Sequence, residues 1–167
     1  MPANIYWVDG PWPGKLGIAA RPRGGDWLRD EIKGWIHAGV NTIVSLLTPD
    51  EERDLEIAAE STETKALGIN FLSLPVPDRQ VPLSRTEVTA MLERIDSDLV
   101  AGKNVLVHCR QGIGRSGMVA ACLLLTKGID AETAVRRVTE SRGIAVPETA
   151  EQRRWIDQFA STFAGTD

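Results

Sequence analysis

Apolar positions along the chain fall into short runs and longer helical stripes, and their order sketches an architecture before any single residue is singled out. Ile5 to Val8 and Leu16 to Ala19, joined through Gly-Pro-Trp-Pro-Gly, predict two short strands linked by a Pro/Gly turn at an antiparallel edge. Thr42 to Leu47 and Asn70 to Leu74 predict two further strands. Val105 to Val107 is a continuous apolar run between turn residues, the pattern of a central parallel strand buried on both faces.

Helical spacing fills the intervals. Trp27, Leu28, Ile32, Trp35 and Ile36 predict a helix capped by Asp26, running to about Ala38 and closed by Gly39. Thr48-Pro49-Asp50-Glu51-Glu52 is a helix start with an acidic first turn, and that helix is expected to reach Lys65 or Ala66. Ser84 with Glu87 forms a capping-box signature ahead of Val88, Met91, Leu92, Ile95 and Leu99, an amphipathic helix ending near Gly102. Met118 to Leu125 is apolar nearly all round, as a fully buried helix is. Asp130 to about Ser141 carries Ala134, Val135 and Val138 on one face and stops at Arg142-Gly143. After a loop through Pro147, Glu148 to Phe163 predicts a last helix with Trp155, Ile156, Phe159 and Phe163 as its buried stripe. The expected fold is α/β: one domain over residues 1–167, with a central, mostly parallel sheet of about five strands and helices on both faces.

Composition narrows the classes without naming a function. A chain of 167 residues with 43% hydrophobic and 25% charged residues fits one core. The net charge of −4 gives no global basic surface for nucleic acid or an anionic membrane. The N-terminal stretch has no basic segment followed by a long apolar run, so the expected location is cytoplasmic. Two cysteines form no disulfide framework, and Cys122 falls in the apolar helix, where a packed core thiol is expected, the alternative being a redox partner for Cys109. Glu51, Glu52, Asp54 and Glu56 have no His or Cys at ligand spacing, so they read as a solvated helix face and not a metal site. His37, in the last turn of the first helix, reads as surface or as a complement to the helix dipole.

The chemistry concentrates in residues 104 to 117, where the central strand runs through a glycine-rich turn into a helix. That turn opens at the carboxyl end of the strand, the end at which open α/β sheets bind ligands, and the following helix adds unpaired N–H groups. Five residues separate Cys109 from Arg115, and Gly112, Gly114 and Gly117 let the backbone curl with its amides inward as an anion nest. A thiol among inward amides, a helix N-terminus and a guanidinium is favoured as the thiolate, and so as a nucleophile. Arg115 supplies a planar fork for two phosphate oxygens.

His108-Cys109, Gly112, Arg115 and Ser116 match the H-C-x-x-G-x-x-R-S/T signature of the cysteine-dependent protein tyrosine and dual-specificity phosphatases, and the chain resembles that family over nearly its whole length. Within it, Gly112-Ile-Gly-Arg-Ser, Val119 to Leu125 and the closing Glu-Thr-Ala-Glu-Gln152 look most like the kinase-associated phosphatase branch, whose known members act on phosphorylated cyclin-dependent kinase. The resemblance implies a phosphoryl cradle from Arg110, Gln111, Gly112, Ile113, Gly114 and Arg115, with Cys109 attacking phosphorus and Ser116 hydrogen bonding to the sulfur. His108 is expected to orient the loop. Asp78, in Val76-Pro77-Asp78 of the loop from Pro75 to Pro82, resembles the family's mobile general acid, although the tryptophan of the tyrosine-specific branch is Val76 here. The alternative for Asp78 is a turn-forming residue with Asx bonding. Gln152 falls where relatives hold a glutamine near the nucleophilic water, the alternative being an exposed helix glutamine.

No metal or organic cofactor is implied, and the expected partner is a phosphorylated protein substrate. Two other readings stay open: a phosphoprotein-binding module without turnover, and a phosphoinositide phosphatase. Arg110 and Gln111 are less basic than the lysine-flanked loops of the lipid phosphatases, which places the lipid second.

Overall fold

A computed structural model describes residues 4–164, the side chains of Phe163 and Ala164 excepted, so the predicted place of Phe163 in the last stripe lies outside the described residues. Five strands form one sheet: β1 (Tyr6–Val8), β2 (Leu16–Ala19), β3 (Thr42–Ser45), β4 (Asn70–Ser73) and β5 (Val105–His108). Their spatial order is β1-β2-β5-β3-β4. The pair β1 and β2 is antiparallel and the other neighbours are parallel, as the sequence pattern predicts. The helices are α1 (Leu28–His37), α2 (Pro49–Asp54), α3 (Glu60–Ala66), α4 (Arg85–Val100), α5 (Arg115–Thr126), α6 (Ala131–Arg142) and α7 (Ala150–Ala164).

The strand period of two sorts side chains between two cores. Val105 and Val107 join Leu16, Ile18 and Val44 under α4 to α7. Leu106 joins Ile43 against Leu28, Ile32 and Trp35 of α1 and against Ile57. The same alternation turns His108, at the end of β5, to the α1 side, where its ring lies 5.6 Å from that of Trp35. The helix predicted to be buried is so: every residue of α5 from Arg115 to Leu125 is buried. Cys122 is completely enclosed there, and burial pushes its thiol well above the usual range, which keeps it an inert core group.

Two elements depart from the sequence reading. Asp26 does not cap α1; it sits in a 3₁₀ turn, Gly25–Trp27, and no side chain caps the helix that follows. The single helix expected from Pro49 to Ala66 is two, because Glu56 adopts a left-handed φ of 59° and the chain bends. Leu55 and Ile57, two residues apart, point to opposite sides of a straight helix, and the bend brings both to the α1 core. The carbonyl of Glu56 is then taken by the Gly25 amide at 2.9 Å.

Candidate active site

The loop between β5 and α5 is shaped by what its glycines touch. Gly112 has φ of 71°, and a Cβ there would lie 2.6 Å from the Ala19 carbonyl carbon, so the turn packs directly on the chain leaving β2. Gly114 packs under α7, where a Cβ would lie 2.9 Å from Gln152 Oε1. Behind the turn, the Arg142 guanidinium donates from Nε to the Gly112 carbonyl at 2.9 Å and from Nη2 to the Gln111 carbonyl at 3.3 Å. It also stacks on the Tyr6 ring at 4.1 Å. Carbonyls held outward this way leave the opposite edge of their peptides for an anion. Arg110 and Gln111 are exposed, Ile113 is half-buried and Gly112 and Gly114 are buried.

Cys109 and Arg115 come together in this turn as predicted. The thiol is 2% exposed, with Sγ 3.2 Å from Ser116 Oγ in the first turn of α5. Arg115 is 1% exposed, and its fork is filled: Nη1 donates to Glu51 Oε1 at 2.6 Å and to the Val76 carbonyl at 2.7 Å. Nη2 donates to Glu51 Oε2 at 2.9 Å and to Asp78 Oδ1 at 3.0 Å. Asp78 thus reaches the loop, half-exposed at its edge. Val76, two residues before Asp78, is fully buried and bonds through its own amide to the Leu46 carbonyl.

Glu51 corrects the expectation of a solvated acidic face. The capping box between Thr48 and Glu51 curls the Glu51 side chain back toward the helix start, at the carboxyl end of β3, and there it meets Arg115. Burial raises its carboxyl, but hydrogen bonds from Arg115 and the Thr48 backbone, with the Arg115 charge, outweigh that and leave it below the usual carboxylate value. Asp54 and Glu56 are exposed as expected. Among the described residues no group of three or more His, Cys, Asp or Glu is placed to hold a metal ion.

Gln152 is not an exposed helix glutamine; it is fully buried. Its Oε1 accepts from the Glu148 and Thr149 amides at 3.1 and 3.2 Å, and its Nε2 donates to the Gln80 carbonyl at 3.1 Å. With the Arg79–Glu148 ion pair, this ties the segment after Asp78 to the start of α7. His108 is fully buried, with Nε2 2.6 Å from Glu60 Oε2 and Nδ1 3.5 Å from the Cys109 carbonyl.

Residues 2–160 match the PTP-SAK family, described as a Swiss Army Knife protein, DSP-PTPase phosphatase domain. The chain belongs to this family. It is 29% identical over 92 residues to cyclin-dependent kinase inhibitor 3 of Sus scrofa, covering 54% of this chain and 43% of that one. It is 26% identical over 155 residues to the putative tyrosine phosphatase 197R of Invertebrate iridescent virus 6, covering 90% of this chain and 54% of that one. The chain therefore spans about half the length of the curated relatives it matches. In three dimensions it superposes on a crystal structure of kinase associated phosphatase with the catalytic-site cysteine changed to serine. The TM-score is 0.87 at 22% identity, covering 100% of this chain and 99% of that one.

Three partners in this PTP-SAK domain escaped the sequence reading: Glu51 on Arg115, Glu60 on His108 and Arg142 on the loop carbonyls. The first had a visible signal in the Thr48-x-x-Glu51 spacing. Glu60 had none, since it opens the polar run Glu-Ser-Thr-Glu-Thr-Lys-Ala and is buried only because the chain bends at Glu56.

Proposed function

We propose that residues 1–167 form one phosphatase domain that hydrolyses phosphotyrosine, and phosphoserine or phosphothreonine, on protein substrates through a phosphocysteine. The observation that carries this reading is the enclosure of Cys109 in one turn with Ser116 and the Arg115 side chain. Cys109 Sγ forms the S–P bond as the P–O bond to the leaving group breaks. The amides from Arg110 to Arg115 and the Arg115 fork hold the three non-bridging oxygens. Asp78 gives its proton to the leaving oxygen, takes one from the attacking water in the second step, and so returns to its starting state. Ser116 Oγ–H hydrogen bonds to the sulfur and eases its departure as thiolate.

Arriving phosphate replaces the carboxylate of Asp78 on Nη2 of Arg115, and Asp78 must leave that contact to carry a proton. Glu51 stays on the guanidinium, which keeps the fork aimed through the exchange. Gln152 serves this chemistry by tying Gln80, two residues after Asp78, to α7 over Gly114. A thiolate nucleophile suits a reducing compartment such as the cytoplasm. No helix among the described residues is long and apolar enough to cross a membrane.

Release of phosphate from a generic aryl phosphate, with chelator present, tests the reading. Turnover lost in Cys109→Ser, with phosphopeptide binding retained, is expected. Binding without turnover in the wild-type protein would make it a phosphoprotein-binding module.

A further inference from the structure

Behind the cradle lies a buried histidine–carboxyl pair that the proposed chemistry does not use. His108 and Glu60 are 0% and 1% exposed, and Glu60 Oε2 lies 2.6 Å from His108 Nε2. The other oxygen, Glu60 Oε1, has no hydrogen-bond partner among the described residues. A buried carboxylate is tolerated when paired, and His108 is the partner this one has in that shell.

The second ring nitrogen also faces an acceptor, the Cys109 carbonyl at 3.5 Å. A neutral imidazole with its proton on Nε2 would turn a lone pair toward that oxygen. Both contacts are attractive when both nitrogens carry protons. A ring protonated on Nδ1 alone would meet both contacts only with Glu60 in its acid form, and imidazole is by nature about two units more basic than a carboxylate, which favours the proton on the ring.

The surroundings favour the same state. In the sheet, His108 is flanked by Ala19 of β2 and Ser45 of β3, both neutral. From α1 comes the neutral Trp35 ring, and from α3 Glu60 itself, with Thr64 one turn further on. From α2 comes Glu52, whose carboxyl is raised by burial first and then by Glu60, and lowered by His108. Two carboxyl groups therefore attend one imidazole, and the ionisable Cys109 is its neighbour in sequence.

We propose that Glu60 is a positioning residue that holds His108 as an imidazolium, with Nε2–H on the Glu60 carboxylate and Nδ1–H on the Cys109 carbonyl. The contact fixes the first peptide of the phosphate-binding turn and keeps a positive charge beside the nucleophile. The protonation state rests on these two contacts and on the greater basicity of imidazole; only its use in catalysis rests on the proposed function.

Nitrogen-15 NMR of the His108 ring in the free, full chain at pH 7 tests the state directly. Imidazolium shifts at both nitrogens are expected, and one unprotonated nitrogen would overturn the proposal whatever the protein catalyses. Glu60→Gln keeps the shape and removes the charge. It should return the ring to a neutral tautomer and slow alkylation of Cys109 by iodoacetate about tenfold or more at pH 7, as loss of a cation beside a thiolate does. A folded Glu60→Gln protein with unchanged ring shifts and alkylation rate would also overturn it. If that variant does not fold, the wild-type spectrum decides alone.

Discussion

The Arg115 guanidinium and the Glu51 carboxylate meet fork to fork, Nη1 to Oε1 at 2.6 Å and Nη2 to Oε2 at 2.9 Å, across 64 positions of sequence. Two parallel charge-assisted bonds fix the plane of the guanidinium as well as its position. A phosphate approaching from the turn therefore finds the fork already oriented, with the Asp78 contact as the one to be exchanged.

Glu51→Ala removes this support and leaves Arg115, 1% exposed, without its main acceptor. The expected loss is roughly 1.5–3 kcal/mol of unfolding free energy, the scale of hydrogen bonds to charged groups. Denaturant titration of the two proteins measures it. Activity should fall further than stability implies, on the order of 10²-fold in kcat/KM, because a displaced fork misplaces the phosphoryl group. Unchanged kinetics would show that the loop alone orients Arg115.

The same pair sets a pH dependence. The Glu51 carboxyl is held below its ordinary 4.5, so its contribution is complete above that value and is lost as pH falls through the lower folded-state value. Glu52 has the opposite sign: raised by burial and then by Glu60, it stabilises most when protonated, and that contribution is lost as pH rises through its folded-state value. The stability gap between wild type and Glu51→Gln should therefore shrink as pH is lowered from about 6 to about 3. A gap that stays constant or widens over that range would contradict the assignment.

For Asp78→Asn, turnover on a phosphothreonine peptide should drop by roughly 10²–10⁴, with a much smaller drop on an activated aryl phosphate whose leaving group needs little protonation. Measuring both substrates separates chemistry from architecture. Equal losses would mean that Asp78 acts through its bond to Arg115 and not as an acid.

Gly114 and Gln152 are coupled by contact. Gly114 has φ of −77°, so alanine is strained there by crowding and not by backbone conformation: its Cβ would stand 2.9 Å from Gln152 Oε1 and 3.0 Å from Glu148 Cβ. Gly114→Ala should destabilise the protein by roughly 1–3 kcal/mol, the cost of overpacking. Gln152→Ala should relieve part of that, since Glu148 remains. Alone, Gln152→Ala should affect both chemical steps, because it frees Gln80 and two amides at the start of α7. A double-mutant cycle on unfolding free energies checks the coupling, and strict additivity would refute it.

What the sequence made legible is what lies close together along the chain. Cys109, Arg115 and Ser116 share one turn, and the apolar run before them and the apolar helix after them predict the turn's place at the carboxyl edge of β5. Charge count and helical periodicity describe Glu51 and Glu60 as surface; the Thr48-x-x-Glu51 spacing shows the cap at Glu51 but not its partner Arg115, and Glu60 carries no signal at all. Their burial depends on the capping box at Thr48 and on the left-handed turn at Glu56, both of which re-aim a polar segment inward. Gln152 shows the same gap: its helix position sits beside the apolar stripe, but the space under it is supplied by a glycine 38 positions earlier, Gly114.

The central claim is that Cys109 carries the phosphoryl group between two half-reactions. Rapid acid quench of the wild-type protein during turnover of a phosphotyrosine peptide, followed by mass spectrometry, tests it most directly. A phosphoryl group on the peptide that contains Cys109, formed as fast as the leaving group is released and absent from Cys109→Ser, is the predicted result. Undiminished turnover in Cys109→Ser, or phosphate release with no phosphorylated Cys109 at any quench time, would contradict the account.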